Sequence, residues 1–174
     1  MSVINKIPSQ LIRRFQQTAP VDIRGLAEDL GLKIWESSRL PEGISGKLFV
    51  DEKNGGSEHY SIPVNSADAY VRKRFTVAHE IAHFILHRDR IGEGLMDDEW
   101  YRSGLTTAEE GEANRLAADI LMPPHLISQY LGRGLKDPEV LAKQFQVSVA
   151  AMRIQLTEAL RLLTYNSLEH ARGS

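Results

Sequence analysis

The chain contains no cysteine. A disulfide framework and a thiolate-bound metal are both excluded by that absence. Charge of one sign is also lacking: the formal net charge is only −2, so no cationic footprint marks a nucleic-acid or membrane surface. The opening MSVINKIPSQLIRR has no apolar run of the kind a secretory leader carries. No stretch approaches the roughly 20 apolar residues that a membrane-spanning helix needs. Repeats and low-complexity segments are missing as well. These absences leave a cytoplasmic globular protein with no membrane association and no expected direct contact with DNA. At 174 residues, with 42% hydrophobic and 25% charged content, one domain with an ample core is expected.

One stretch commits to a chemistry. Arg74 to His87 reads RFTVAHEIAHFILH, and His79, Glu80 and His83 form H-E-x-x-H. On a helix, residues four apart share a face, so both imidazoles can reach one metal ion. Glu80 falls about 100° round the helix from His79, beside the metal position rather than on it. At that angular step Thr76, His79, Glu80, His83 and His87 make one narrow polar stripe, and apolar residues cover the rest. A helix apolar on most sides is buried, so the stripe must meet a cleft, a metal or other polar groups.

The flanking chain supplies the frame. Apolar positions in residues 3–18 suit a helix begun around Ser9, and Asp22 can cap a second short helix that Gly31 stops. Strands are expected at Leu32–Trp35, Ile44–Val50 and His59–Asn65, with a hairpin at the Asn-Gly turn of DEKNGGSE. Pro63 lacks a ladder donor, which predicts an edge strand there. An edge strand just before the metal helix is placed to receive an extended peptide by strand addition. The metal helix is expected from Ser66 or Asp68 to His87, and a polar, glycine-dotted loop from 88 to 105. A helix over Ala108–Met122 follows, with Thr106 or Thr107 as cap and Glu109 or Glu110 closing a capping box. Pro123 and Pro124 end it, and a helix at His125–Leu131 comes next. LAKQF, a Val-Ser turn and AAMRIQL then carry helix-turn-helix spacing.

A peptidase zinc site takes three protein ligands. Leu86 and Asp89 stand where a metzincin would need glycine and histidine. His87 fits a cleft or supporting role better than the metal. Glu109, Glu110 and Glu112 remain, although a charged capping box accounts for all three equally well. Glu110 is preferred, because it shares a face with Asn114, which can support a ligand histidine.

With these residues in view, the chain resembles the ImmA/IrrE family of zinc metallopeptidases. The resemblance runs from PVDIRGLAEDLGL through ISGKLFVD, YSIPVN, RFTVAHEIAHFILH and EGEANRLAADILMPP, and more loosely into LAKQFQVSVAAMRIQL. It implies that the glutamate opening E-x-x-x-N, here Glu110, is the third ligand to Zn2+. The implied fold is α+β: a small gluzincin-like metallopeptidase whose short antiparallel sheet packs on the HExxH helix, followed by a helical C-terminal part. A catalytic core at 20–122 and a helical subregion at 123–163 would together make one unit over 1–174, an ImmA-like stand-alone protease. The implied substrate is a bacterial helix-turn-helix repressor of the Cro/C1 type, whose removal relieves transcriptional repression on a mobile element or stress regulon. Glu80 would take a proton from the attacking water and pass it to the leaving amine. A further donor for the oxyanion is expected from His59, Tyr60, Tyr101 or His125. The rival reading is a non-catalytic, metal-dependent regulator that binds a repressor or DNA.

Overall fold

The computed structural model describes residues 6–91 and 105–172. Helix α1 (Lys6–Phe15) already includes the three residues ahead of the expected Ser9. Asp22 caps α2 (Ile23–Asp29) by accepting from the Gly25 N–H at 3.0 Å. Gly31 then takes φ +77°, a left-handed conformation that costs glycine little and ends the helix. Strands β1 (Leu32–Ser37), β2 (Phe49–Val50) and β3 (Tyr60–Asn65) follow.

The sheet departs from expectation in two ways. It is mixed, not antiparallel: β3 pairs parallel with β1, from Leu32↔Tyr60 to Ser37↔Asn65, and antiparallel with β2. The strand order β1-β3-β2 also puts Pro63 in the central strand, not at an edge. The backbone bonds explain why proline is tolerated there. Asp51 N–H donates to His59 O, Lys47 N–H to Pro63 O at 3.3 Å, and Asn65 N–H to Ser45 O at 2.7 Å. The odd-numbered residues of β3 therefore face the β2 side, so the donor that proline lacks would have pointed there. That ladder is short, with two residues in β2 and an isolated bridge at Gly46↔Val64. Proline interrupts the weaker ladder and leaves the parallel one intact. Both sides of β3 being taken, strand addition at residues 59–65 is ruled out.

Burial follows from this central position. Tyr60 to Val64 are all buried, including Ser61, whose hydroxyl donates to Asp51 Oδ2 at 2.9 Å. The expected hairpin does form between β2 and β3, with Gly55 N–H bonded to Asp51 O at 2.9 Å.

The HExxH helix, α3 (Tyr70–Leu86), starts after Ala69, later than the expected Ser66 or Asp68, and no side chain caps it. A 3-10 turn at Arg88–Arg90 follows it. Tyr101 and most of the expected 88–105 loop lie outside the described residues. Helix α4 (Thr107–Leu121) opens with a full capping box: Thr106 Oγ1 accepts from Glu109 N–H, and Glu109 accepts from Thr106 N–H at 2.7 Å. Helices α5 (Pro124–Gly132), α6 (Pro138–Phe145) and α7 (Val149–Arg172) complete the chain. The α6–α7 connection turns through Gln146 at φ +55°, and Ser148 Oγ accepts from Ala151 N–H at 3.1 Å.

Helix α3 packs most extensively against α4. Both carry fully buried alanines, Ala78 and Ala82 on α3 and Ala113 and Ala117 on α4, small side chains that permit close helix approach. One buried apolar cluster extends from Ile23 and Leu26 through Ile62 and Ile81 to Phe145, Met152 and Ala159. Burying each large member contributes about 1.5–3 kcal/mol. Among the described residues no helix is long and apolar enough to cross a membrane.

Candidate metal centre

Helix periodicity does locally what the motif requires. Thr76, Glu80, His83 and His87 are buried polar residues along α3, and His79 is half-buried beside them. The close α3–α4 packing then brings Glu110, in the first turn of α4, against the two histidines. Glu110 Oε2 lies 3.4 Å from His79 Nε2, and its Oε1 lies 3.4 Å from His83 Nε2. The two Nε2 atoms are 2.9 Å apart. His79, His83 and Glu110 form the one such group among the described residues able to hold a metal ion.

The donor set fits a divalent cation. Two imidazoles and a carboxylate are the borderline and hard donors that Zn2+ accepts, and ligands 2.0–2.1 Å from a tetrahedral ion stand about 3.4 Å apart, as Glu110 does from both rings, while the two Nε2 atoms lie closer at 2.9 Å. Protonation states agree. Burial pushes the His83 pKa down to about 3, helped by the neighbouring His79 and then His87. His79 is also lowered, first by burial, with Glu110 and then Asn114 opposing. Both rings are thus neutral near pH 7, with lone pairs free for a metal. His79 Nδ1 is buried and makes no hydrogen bond among the described residues.

The other two glutamates are used elsewhere. Glu109 closes the capping box, which holds its carboxyl below the usual range, and it pairs with Arg90 at 2.9 Å. Glu112 faces His87 Nε2 at 3.7 Å.

His79 and Glu80 open onto a cleft of about 560 Å3. One wall is Gly43–Gly46, the other the α6–α7 turn at Val147, Ser148 and Ala151, while Phe75, Thr76 and Asn114 complete the floor. The approach of the first wall depends on Gly46: a Cβ there would collide with Thr76 Cγ2 and stand 3.0 Å from Pro63 O.

Of the expected oxyanion donors, none among the described residues lines this cleft. His59 sits at the end of the hairpin with φ +61°, 3.7 Å from Glu52. Tyr60 is buried edge-on against Phe84. His125 Nε2 bonds to the backbone oxygen of Gln16 at 2.9 Å. The cleft walls themselves were not legible in the sequence, because neither Gly43–Gly46 nor Val147–Ala151 carries a chemical signature. The glycines of GISGK are the sole hint, as glycine marks close backbone approach.

The family model for the IrrE N-terminal-like domain, Peptidase_M78, matches residues 27–157. The chain belongs to the ImmA/IrrE family of metallopeptidases. Relatives include the radiation response metalloprotease IrrE of Deinococcus radiodurans, 38% identical over 107 residues, covering 58% of this chain and 32% of that protein. IrrE of Deinococcus deserti is 36% identical over 140 residues, covering 74% of this chain and 49% of that protein. The ImmA/IrrE chain described here therefore spans about a third to about a half of the length of these relatives. Among solved structures, a Mycobacterium tuberculosis transcriptional regulator superposes with a TM-score of 0.57 at 15% identity, covering 87% of this chain and 46% of that one. That likeness concerns the fold alone.

Proposed function

We propose that this ImmA/IrrE-family chain is a zinc-dependent endopeptidase of gluzincin type, cutting a peptide bond in a protein substrate. The observation that carries the reading is the convergence of His79 Nε2, His83 Nε2 and the Glu110 carboxylate, with His79 and Glu80 lining an open cleft. These three residues would hold Zn2+. When bound, the metal supplies Lewis acidity toward the scissile carbonyl and lowers the pKa of water.

The chain's own residues do the rest. Glu80 is buried, borders the cleft and follows a ligand position directly in sequence. Its carboxylate takes the proton of the attacking water and returns it to the leaving amine, a role of about 10²–10⁴-fold in rate. Asn114, next to the His79 ring, orients that imidazole. The cleft is open at its surface and bounded by main chain at Gly43–Gly46, which suits an extended segment of a protein better than a small enclosed ligand. The substrate we favour is a helix-turn-helix repressor of the Cro/C1 type, in keeping with the family. Regulation of transcription would then follow from cleavage of a regulator.

The helix-turn-helix-like α6–α7 unit supports this reading over DNA binding. Its turn, Val147–Ser148, is spent on the cleft wall, and Leu141, Phe145 and Met152 are buried in the shared core. Zinc per chain, measured by elemental analysis in wild type and Glu110→Ala, tests the site. About one zinc, lost in the variant, is expected. Equal zinc in both would move the third ligand away from Glu110.

A further inference from the structure

His83 has two ring nitrogens, and the metal reading uses one of them. The other, Nδ1, points away from Glu110 and lies 3.0 Å from Nδ1 of His87. Two facing imidazole nitrogens at that distance must be one donor and one acceptor. If His83 Nε2 serves as a ligand through its lone pair, His83 carries its proton on Nδ1 and donates it. His87 Nδ1 is then the acceptor, and the His87 proton must sit on Nε2. That nitrogen faces Glu112 Oε2 at 3.7 Å, beyond a direct hydrogen bond but within Coulombic reach of a carboxylate.

We infer that His87 and Glu112 form a relay that sets the tautomer and ring orientation of His83. His87 is a positioning residue for the metal centre, and the inference rests on the three-ligand reading above. Ligand histidines ordinarily donate their second N–H to a carboxylate or a carbonyl oxygen. Here a second histidine is interposed, one helical turn further on. His87 can serve because its own place is fixed. It closes α3, its backbone N–H donates to His83 O at 2.7 Å, and its ring is buried. The next residue is pinned as well. The Arg88 guanidinium lies 4.7 Å above the Phe84 ring and 5.1 Å above Tyr60, and it pairs with Glu58 at 2.7 Å. The end of the helix is thus clamped to the sheet, and the His87 ring is held under His83. Glu112 completes the relay from α4, two residues beyond Glu110, on a part of the helix that the capping box leaves free.

The test compares His87→Asn with His87→Leu in the full chain, with zinc alone as probe and its affinity read by chelator competition. Asparagine keeps an acceptor near the place of Nδ1, while leucine keeps bulk and offers none. His87→Leu is expected to bind zinc about 10–100-fold more weakly, His87→Asn within a few-fold of wild type, and exposed Glu112→Gln in between. In the unaltered zinc-loaded chain, ¹⁵N spectra of the imidazoles should show His83 protonated at Nδ1 and His87 at Nε2. Wild-type affinity in His87→Leu, or equal loss in both His87 variants, overturns the relay while leaving the three ligands standing; a proton on His83 Nε2 overturns the relay and ligation through that nitrogen together. A wild-type chain that binds no zinc overturns both. Should the His87 variants fail to fold, the imidazole spectra and Glu112→Gln still decide.

Discussion

Arg74 Nε donates to the backbone oxygen of Gln146 at 3.2 Å, across 72 residues of sequence. The same guanidinium donates from Nη2 to Val21 O at 2.9 Å, and the residue is 7% exposed. One turn before His79, α3 thereby ties down the α6–α7 turn that walls the cleft. The arginine is buried because it satisfies two carbonyls that no strand or helix ladder reaches.

Replacing it leaves those carbonyls without their donor. Arg74→Met should lower stability by about 2–4 kcal/mol, the cost of unsatisfied buried polar groups plus lost charged hydrogen bonds. Chemical denaturation measures this directly. A change below about 0.5 kcal/mol would show that the tether contributes little.

On the proposed mechanism, Glu80 separates catalysis from metal binding. Glu80→Gln keeps the shape of the side chain and removes the base, so zinc content should stay near wild type. Cleavage of the protein substrate should fall about 10²–10⁴-fold. Full cleavage in the variant would assign the base elsewhere; loss of zinc would make Glu80 part of the metal site.

Gly46 sets how closely the first cleft wall approaches α3. Gly46→Val would push side-chain atoms into Thr76 and the Pro63 carbonyl. Overpacking of that kind costs about 1–3 kcal/mol, and relief by moving the wall would distort the cleft. We expect a lower Tm and slower cleavage, with zinc affinity changed far less. Unaltered Tm and cleavage would mean that the wall yields freely.

The depressed pKa of His83 makes the metal-free protein sensitive to acid. In the unfolded chain this histidine titrates near 6.5, and in the fold near 3. The folded state therefore resists a proton that the unfolded state accepts. Its contribution is fully present above pH 6.5 and is lost as pH falls from there toward 3. The slope is about 1.4 kcal/mol per pH unit. Unfolding free energies of wild type and His83→Gln, measured without metal between pH 6.5 and 4.5, should converge as the pH drops. Parallel curves would mean that His83 is not held neutral.

Much of the site was readable residue by residue. The 3.6-residue period alone puts His79, Glu80 and His83 on one face, and the Thr106–Glu109 box and the Asp22 cap follow from side-chain chemistry within one turn. The hairpin at Asn54-Gly55 is equally local. Choosing among Glu109, Glu110 and Glu112 was not local, because all three fit the first turns of the same acidic helix. The packing of α4 on α3 is what turns Glu110 to the histidines and Glu112 to His87.

The sheet shows the same division more sharply. Pro63 by itself argues for an edge, since a missing N–H is cheapest where no strand pairs. Which side of a strand lacks a donor depends on its neighbours, and β1 comes from 28 positions earlier in the chain. Its parallel pairing made β3 central and sent the proline nitrogen to the short β2 side. Local propensity, capping and helical period thus determined the chemistry this chain carries. Tertiary packing decided which groups meet and where the cleft opens, because long-range pairing is set by the core shared among elements and not by any one of them.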